Sequence, residues 1–189
     1  MNYQTFTKIM DTKIQNGSFL ISTPDINYDI FFKSIVIISN IENQEIIGFI
    51  INKKTKFFVH DLIKGFPIKN VPLYVGGPVE TNSIFFIHQC ENIDNCVRIN
   101  SNLFFGGDFK ELIFKLEQNE IKIKDIIFFV GYSGWSKNQL KEEIIKKYWI
   151  TKNDKYLDLF NDNLKDWSEI IDDSKYYLWK NFPKNPSLN

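Results

Sequence analysis

Ile126-Ile127-Phe128-Phe129-Val130-Gly131-Tyr132-Ser133-Gly134-Trp135-Ser136, continued by Lys137-Asn138-Gln139-Leu140, is the stretch whose reading decides the fold. Its first five residues are all apolar, β-branched or aromatic, as expected of a strand buried on both faces, and Gly131 ends the run. Ser136 stands three residues before Gln139, the spacing of a capping box at a helix start. Leu140, Ile144 and Tyr148 then recur at helical spacing and mark the buried face of that helix. A strand, a tight turn and a helix are thus expected over residues 126–148.

Working outward, Phe19-Leu20-Ile21, Ile35–Ile38 and Ile46–Ile51 are further short apolar runs. Asn16-Gly17, Pro24-Asp25 and Asn40–Gln44 separate them, so they read as strands, the last two forming a hairpin across Ser39–Glu45. Val59–Lys64 reads as a short helix ended by Gly65 and Pro67. Val71–Val75 and Ile84–Ile87 read as strands around a Gly76-Gly77-Pro78 turn. Asp108 is placed to cap a helix containing Phe109, Leu112, Ile113 and Leu116. Phe6, Ile9, Met10 and Ile14 predict an amphipathic helix at the start of the chain. Beyond Thr151 the chain turns polar, with Trp167, Tyr176, Tyr177 and Trp179 interleaved. Residues 151–182 therefore read as a helical appendage docking on the rest, and 183–189 as a frayed tail. No repeat appears, and residues 1–189 read as a single α+β domain mixing helices and strands.

Composition excludes several classes. A chain of 189 residues with 43% hydrophobic content buries a real core and is not a disordered tail. Twenty-three basic residues, of which only Arg98 is arginine, balance 23 acidic ones, so charge does not favour direct nucleic-acid binding. The N-terminus lacks the basic and apolar regions of a signal peptide, and no apolar run approaches a membrane span. The expectation is a cytoplasmic (cytosolic) protein with no membrane partner. Cys90 and Cys96, spaced C-x5-C, match neither a disulfide scaffold nor a C-x-x-C motif and read as free thiols.

Candidate chemistry is sparse. Gly131-Tyr132-Ser133-Gly134-Trp135 superficially matches a G-x-S-x-G nucleophile elbow. However, Trp135 replaces the closing glycine, and His60 and His88 both precede Ser133, against the order that fold requires. Gly76-Gly77-Pro78-Val79-Glu80 contains neither a P-loop nor a dinucleotide fingerprint. His88, Cys90 and Cys96 supply three potential zinc ligands without a fourth, and no metal or cofactor is assigned. Asp108, Glu142 and Glu143 sit where caps or solvated helix faces also place carboxylates, so no catalytic residue is assigned. The helix start at Ser136 offers N–H groups to an anion. With the two glycine-rich turns it makes Gly76, Gly77, Pro78, Gly131, Tyr132, Ser133, Gly134, Trp135 and Gln139 the candidate ligand-binding residues.

These pieces together resemble the YqgE/AlgH family of bacterial proteins. Phe19-Leu20-Ile21-Ser22-x-Pro24 and Gly48-Phe49-x-x-Asn52-Lys53 match its N-terminal signature, and Gly76-Gly77-Pro78-Val79 with His88 its central motif. Gly106-Gly107-Asp108-Phe109 and Phe128–Trp135 with Gln139-Leu140, Glu143 and Trp149 match the remainder. Lys141 and Asn138 depart from it, at positions where an acid and a glycine are usual. The resemblance implies a single domain with a curved, barrel-like mixed β-sheet flanked by helices. It implies no reaction, although one branch has been called a transcriptional regulator of alginate synthesis. The expected function is a non-catalytic regulatory module that binds an unidentified small molecule or protein. The alternatives are an enzyme with a cleft near the two glycine-rich turns and a transcriptional regulator.

Overall fold

Apolar runs without polar interruption form strands only where both faces are covered, and the first three strands show how this is met. These are β1 (Phe19–Ser22), β2 (Ile35–Glu42) and β3 (Glu45–Ile50). Phe19, Ile21, Ile35, Ile37 and Phe49 enter one core cluster. Leu20, Val36, Ile38, Ile46 and Ile50 enter a second, on the opposite face. The computed structural model describes residues 14–26, 30–153, 155, 157–160 and 166–173. The expected N-terminal helix lies outside these apart from Ile14, as do Tyr176, Tyr177, Trp179 and 183–189.

The remaining strands are β4 (Lys54–Phe58), β5 (Pro72–Val75), β6 (Val79–His88), β7 (Val97–Arg98), β8 (Phe104–Phe105), β9 (Ile126–Ser136) and β10 (Trp149–Lys152). Helices are α1 (Val59–Leu62), α2 (Phe109–Glu117), α3 (Lys137–Ile145) and α4 (Trp167–Asp173). Among the described residues the strands form one ten-stranded sheet, ordered β10-β1-β2-β3-β9-β6-β8-β7, with β5 also on β9 and β4 on β5. All pairings are antiparallel except β5 with β9. The fold is α+β, a single domain on a mixed sheet.

The sheet is strongly curved yet open. β3 and β8 are three strand steps apart, about 14 Å in a flat sheet. Phe49 and Phe105 nevertheless meet across the concave face with ring centroids 5.2 Å apart. No ladder joins β10 to β7, so curvature does not proceed to a closed barrel. α4 fills part of the concave face: Ile170 and Ile171 are buried there, and the Trp167 indole N–H donates to the Ser22 carbonyl at 2.7 Å. On the opposite face α1, the segment after it and α2 cover β5, β6 and β9 through Val59, Phe66, Leu112 and Leu116.

Several sequence expectations are corrected. β9 does not end at Gly131; it continues through both glycines to Ser136 and runs straight into α3 without a tight turn. Its two halves have different neighbours: Phe128–Val130 lies between β5 and β6, whereas Ser133–Ser136 pairs with β3. The β2–β3 loop shrinks to Asn43-Gln44, with Asn43 at φ 52° and a bulge at Ser39. α3 stops at Ile145, so Tyr148 is exposed, not part of its buried face. Lys147 adopts φ 63°, and its N–H and that of Tyr148 donate to the carbonyls of Ile144 and Glu143. That is a Schellman ending, here with lysine where glycine is usual.

Candidate functional site

The link between β5 and β6 determines the geometry around the glycine-rich motifs. β5 lies along one edge of β9 and β6 along the other, so residues 76–78 must carry the chain across the strand. Next-but-one strands are about 10 Å apart, and the four Cα steps from Val75 to Val79 reach only about 14 Å when fully extended, which leaves little slack for passing over a strand. The link therefore runs taut against the backbone it crosses. A Cβ on Gly76 would stand 2.1 Å from the Gly131 carbonyl oxygen, and one on Gly77 2.3 Å from Tyr132 backbone atoms. Gly131 has φ 67°, and a Cβ there would stand 2.7 Å from the Gly77 oxygen. All three positions exclude any side chain.

Hydrogen bonds fasten the crossing. The Gly76 N–H donates to the Val130 carbonyl at 2.9 Å, and its own carbonyl accepts from the Ile50 N–H at 3.0 Å. The same carbonyl accepts from the fully buried Ser133 hydroxyl at 2.9 Å. Ser133 is thus a clamp on the link. Tyr132 is half-buried, its ring edge-on to Phe85 at 5.5 Å. Burial, with Glu80 and Glu45 nearby, raises its phenol pKa, so it stays protonated at neutral pH. Pro78 and Gly134 are exposed.

Trp135 and Gln139 are gathered elsewhere, around Glu143, one of the residues that carry the family resemblance. The Glu143 carboxylate accepts from the Trp135 indole at 3.0 Å, the Trp149 indole at 2.7 Å and the Gln139 amide at 3.0 Å. The two indoles stand edge to face at 5.8 Å, with Phe31 against both. Glu143 thereby ties β9, α3 and β10 together. Ser136 accepts from the Gln139 N–H at 3.1 Å, but Gln139 spends its side chain on Glu143, so only half of the expected capping box forms. The Lys137 N–H at the helix start donates to the Gln44 carbonyl at 3.0 Å.

His88 and Asp108 are equally engaged. His88 is fully buried, with Nδ1 accepting from the Cys90 N–H at 3.2 Å and Nε2 2.9 Å from the Gly106 carbonyl. Those partners make it a neutral imidazole protonated at Nε2. Burial lowers its pKa, outweighing the two backbone bonds. Cys90 and Cys96 are free and half-buried, and burial pushes the Cys96 thiol up. Asp108 caps α2, accepting from the N–H groups of Lys110 and Glu111.

An open groove lies between α2 and residues 63–66, the segment that follows α1. One hollow, about 390 Å³, is lined by Ile63, Ile84, Phe86, Phe105, Gly106 and Phe109 among others. A second, about 290 Å³, adjoins it at Ile63 and Phe109 and runs along Phe66, Ile113 and Phe114. A Cβ on Gly106 would meet nothing within 4 Å, so that glycine borders open space. The sequence placed Ile63, Phe109 and Ile113 on helices but carried no sign that their exposed sides face one another.

A family model described as AlgH-like matches residues 19–177. The chain belongs to the AlgH-like family. Among its relatives, a UPF0301 protein of Bacteroides thetaiotaomicron is 36% identical over 177 residues, covering 92% of this chain and 90% of the relative. A UPF0301 protein of Bacteroides fragilis is 38% identical over 178 residues, with 92% and 90% covered. The solution structure of AlgH from Pseudomonas aeruginosa superposes with a TM-score of 0.65 at 19% identity, covering 89% of this chain and 94% of that one. A Corynebacterium diphtheriae crystal structure gives 0.63 at 20%, with 79% and 81% covered. These likenesses establish the AlgH-like fold. No helix among the described residues is long and apolar enough to cross a membrane.

Two predictions follow from the hydrogen bonding. Glu143→Gln replaces a three-fold acceptor by a group with one acceptor oxygen, and is expected to cost about 1–3 kcal/mol in urea unfolding; a loss below about 0.5 kcal/mol, ordinary for surface substitutions, contradicts the clamp. For His88, the folded pKa lies below the unfolded value of about 6.5, so the unfolded chain binds the proton first. Stability should be fully present above that pH and fall as pH drops from there towards the folded pKa. His88→Gln should flatten this part of the stability–pH curve, and an unchanged slope contradicts the assignment.

Proposed function

We propose that this AlgH-like chain is a non-catalytic binding module that takes a small molecule with an apolar body in the groove between α2 and residues 63–66. The observation that carries the reading is the contrast between that groove and the polar groups around the signature motifs. Ser133, His88, Asp108 and Glu143 are each engaged in hydrogen bonds that hold the backbone or packed side chains. The groove instead presents phenylalanine and isoleucine side chains around hollows of about 390 and 290 Å³, near the low end of the 300–1,000 Å³ range of small-molecule sites. Phe114, on its wall, is 57% exposed. Gly106 and Phe109 of the Gly106-Gly107-Asp108-Phe109 motif line it, which places a family signature at the cavity.

The Gly76–Pro78 and Gly131–Trp135 residues serve this reading as scaffold. They fix β6 and β9, from which Ile84, Phe86 and Phe128 form the floor beneath α1 and α2.

Thermal-shift screening of natively folded protein against neutral apolar compounds tests the proposal. A ligand at 100 times its Kd adds about 2.7 kcal/mol, which is roughly 5–11 °C in Tm for a domain of this size. Ile63→Trp, which fills the junction of the two hollows, should keep the fold and abolish the shift. No stabilising compound, or an equal shift in Ile63→Trp, contradicts it.

A further inference from the structure

The rim of the groove has a charge pattern that the apolar lining does not account for. Lys64 follows α1 and Lys110 lies in the first turn of α2; both are exposed and both border the smaller hollow. Neither has a carboxylate within 4.0 Å among the described residues, whereas Lys115, on the same helix, pairs with Glu111 and Glu120. The one acidic residue on this rim, Glu117, ends α2. It is seven residues beyond Lys110, about 10 Å along the helix. Two cations without a carboxylate partner among the described residues therefore border one apolar trough, and the acid on its rim is a full seven residues along α2 from Lys110.

From this juxtaposition we infer that the groove's occupant is an amphiphilic anion: an aliphatic or aromatic body with one carboxylate or comparable acidic head. The body lies along Phe66, Phe109 and Ile113 towards Ile84 and Phe86, and the head sits between Lys64 and Lys110. A neutral apolar molecule would leave the two ammonium groups with water alone. A dianion extended through the trough would bring its second charge towards Glu117. This inference rests on the groove reading above and adds the charge of the ligand to it.

Octanoate and 1-octanol share a chain and differ in the head group, so calorimetric titration of the full chain with each separates the two claims. At low salt octanoate should bind roughly three- to tenfold more tightly than octanol, the advantage that two exposed ion pairs confer. High salt, near 1 M, should erase the difference by screening. Lys64→Gln with Lys110→Gln should bring octanoate to the affinity of octanol while leaving octanol unchanged, and both changes are at exposed positions, so the fold should be kept. Equal affinities in the wild-type protein, or a preference that survives in the double variant, overturn the inference. If octanol binds and Ile63→Trp blocks it, the groove reading stands even then. If neither ligand binds, the groove reading falls and the inference with it.

Discussion

The taut passage of residues 76–78 over β9 is the constraint on which the rest of the molecule depends. β9 is paired on both edges, by β5 and by β6, and those two strands are consecutive in the chain. With only three residues between them, the backbone must be pressed onto the strand it crosses, which requires glycine at 76, 77 and 131. Gly131 also bends β9 there, so that its second half leaves β5 and pairs with β3. The sheet thereby becomes continuous from β10 to β7, and its curvature brings Phe49 of β3 against Phe105 of β8.

Polar residues near that crossing serve the same end. Ser133 holds the carbonyl of Gly76, and Glu143 gathers the indoles of β9 and β10 onto α3. His88 bridges the end of β6 to the Gly106 loop. A serine flanked by glycines, a buried histidine and a carboxylate invite a catalytic interpretation as a string of letters. In three dimensions each one is bonded to a backbone or indole group, and leaving such a group unpaired when buried costs about 1–3 kcal/mol. The groove between α2 and residues 63–66 presents, by contrast, phenylalanine and isoleucine side chains with open space beside them.

How much of this the sequence carried depends on the range of the interaction. Runs such as Ile35–Ile38 and Ile126–Val130 are readable as strands because every residue in them is apolar. Asp108 was readable as a cap because the bond is local. β4 was missed because Lys54, Thr55 and Lys56 are polar, and its pairing with β5 comes from the fold. β9 was cut short because Gly131 resembles a stop signal, whereas here it marks a change of partner. The crossing itself could not be read: nothing in Gly76-Gly77-Pro78 shows that another strand, fifty residues on, passes beneath it. The resemblance to the family supplied the curved sheet, which periodicity alone did not. Among the candidate binding residues, Gly76, Gly77, Gly131, Tyr132 and Ser133 converge, while Trp135 and Gln139 belong to the separate Glu143 cluster. The groove was invisible because it arises where a face of α2 meets residues 63–66, and that meeting is set by tertiary placement.

Denaturant unfolding of Gly77→Ala beside Gly134→Ala tests the central claim most directly. Both glycines lie in signature motifs, but a Cβ at 77 would meet backbone at 2.3 Å, whereas one at 134 meets only side chains, the Tyr132 ring edge at 3.3 Å and Val79 at 3.8 Å. The account predicts that Gly77→Ala loses at least about 4 kcal/mol or fails to fold, and that Gly134→Ala stays within about 1 kcal/mol of wild type. Equal stability of the two variants would contradict it.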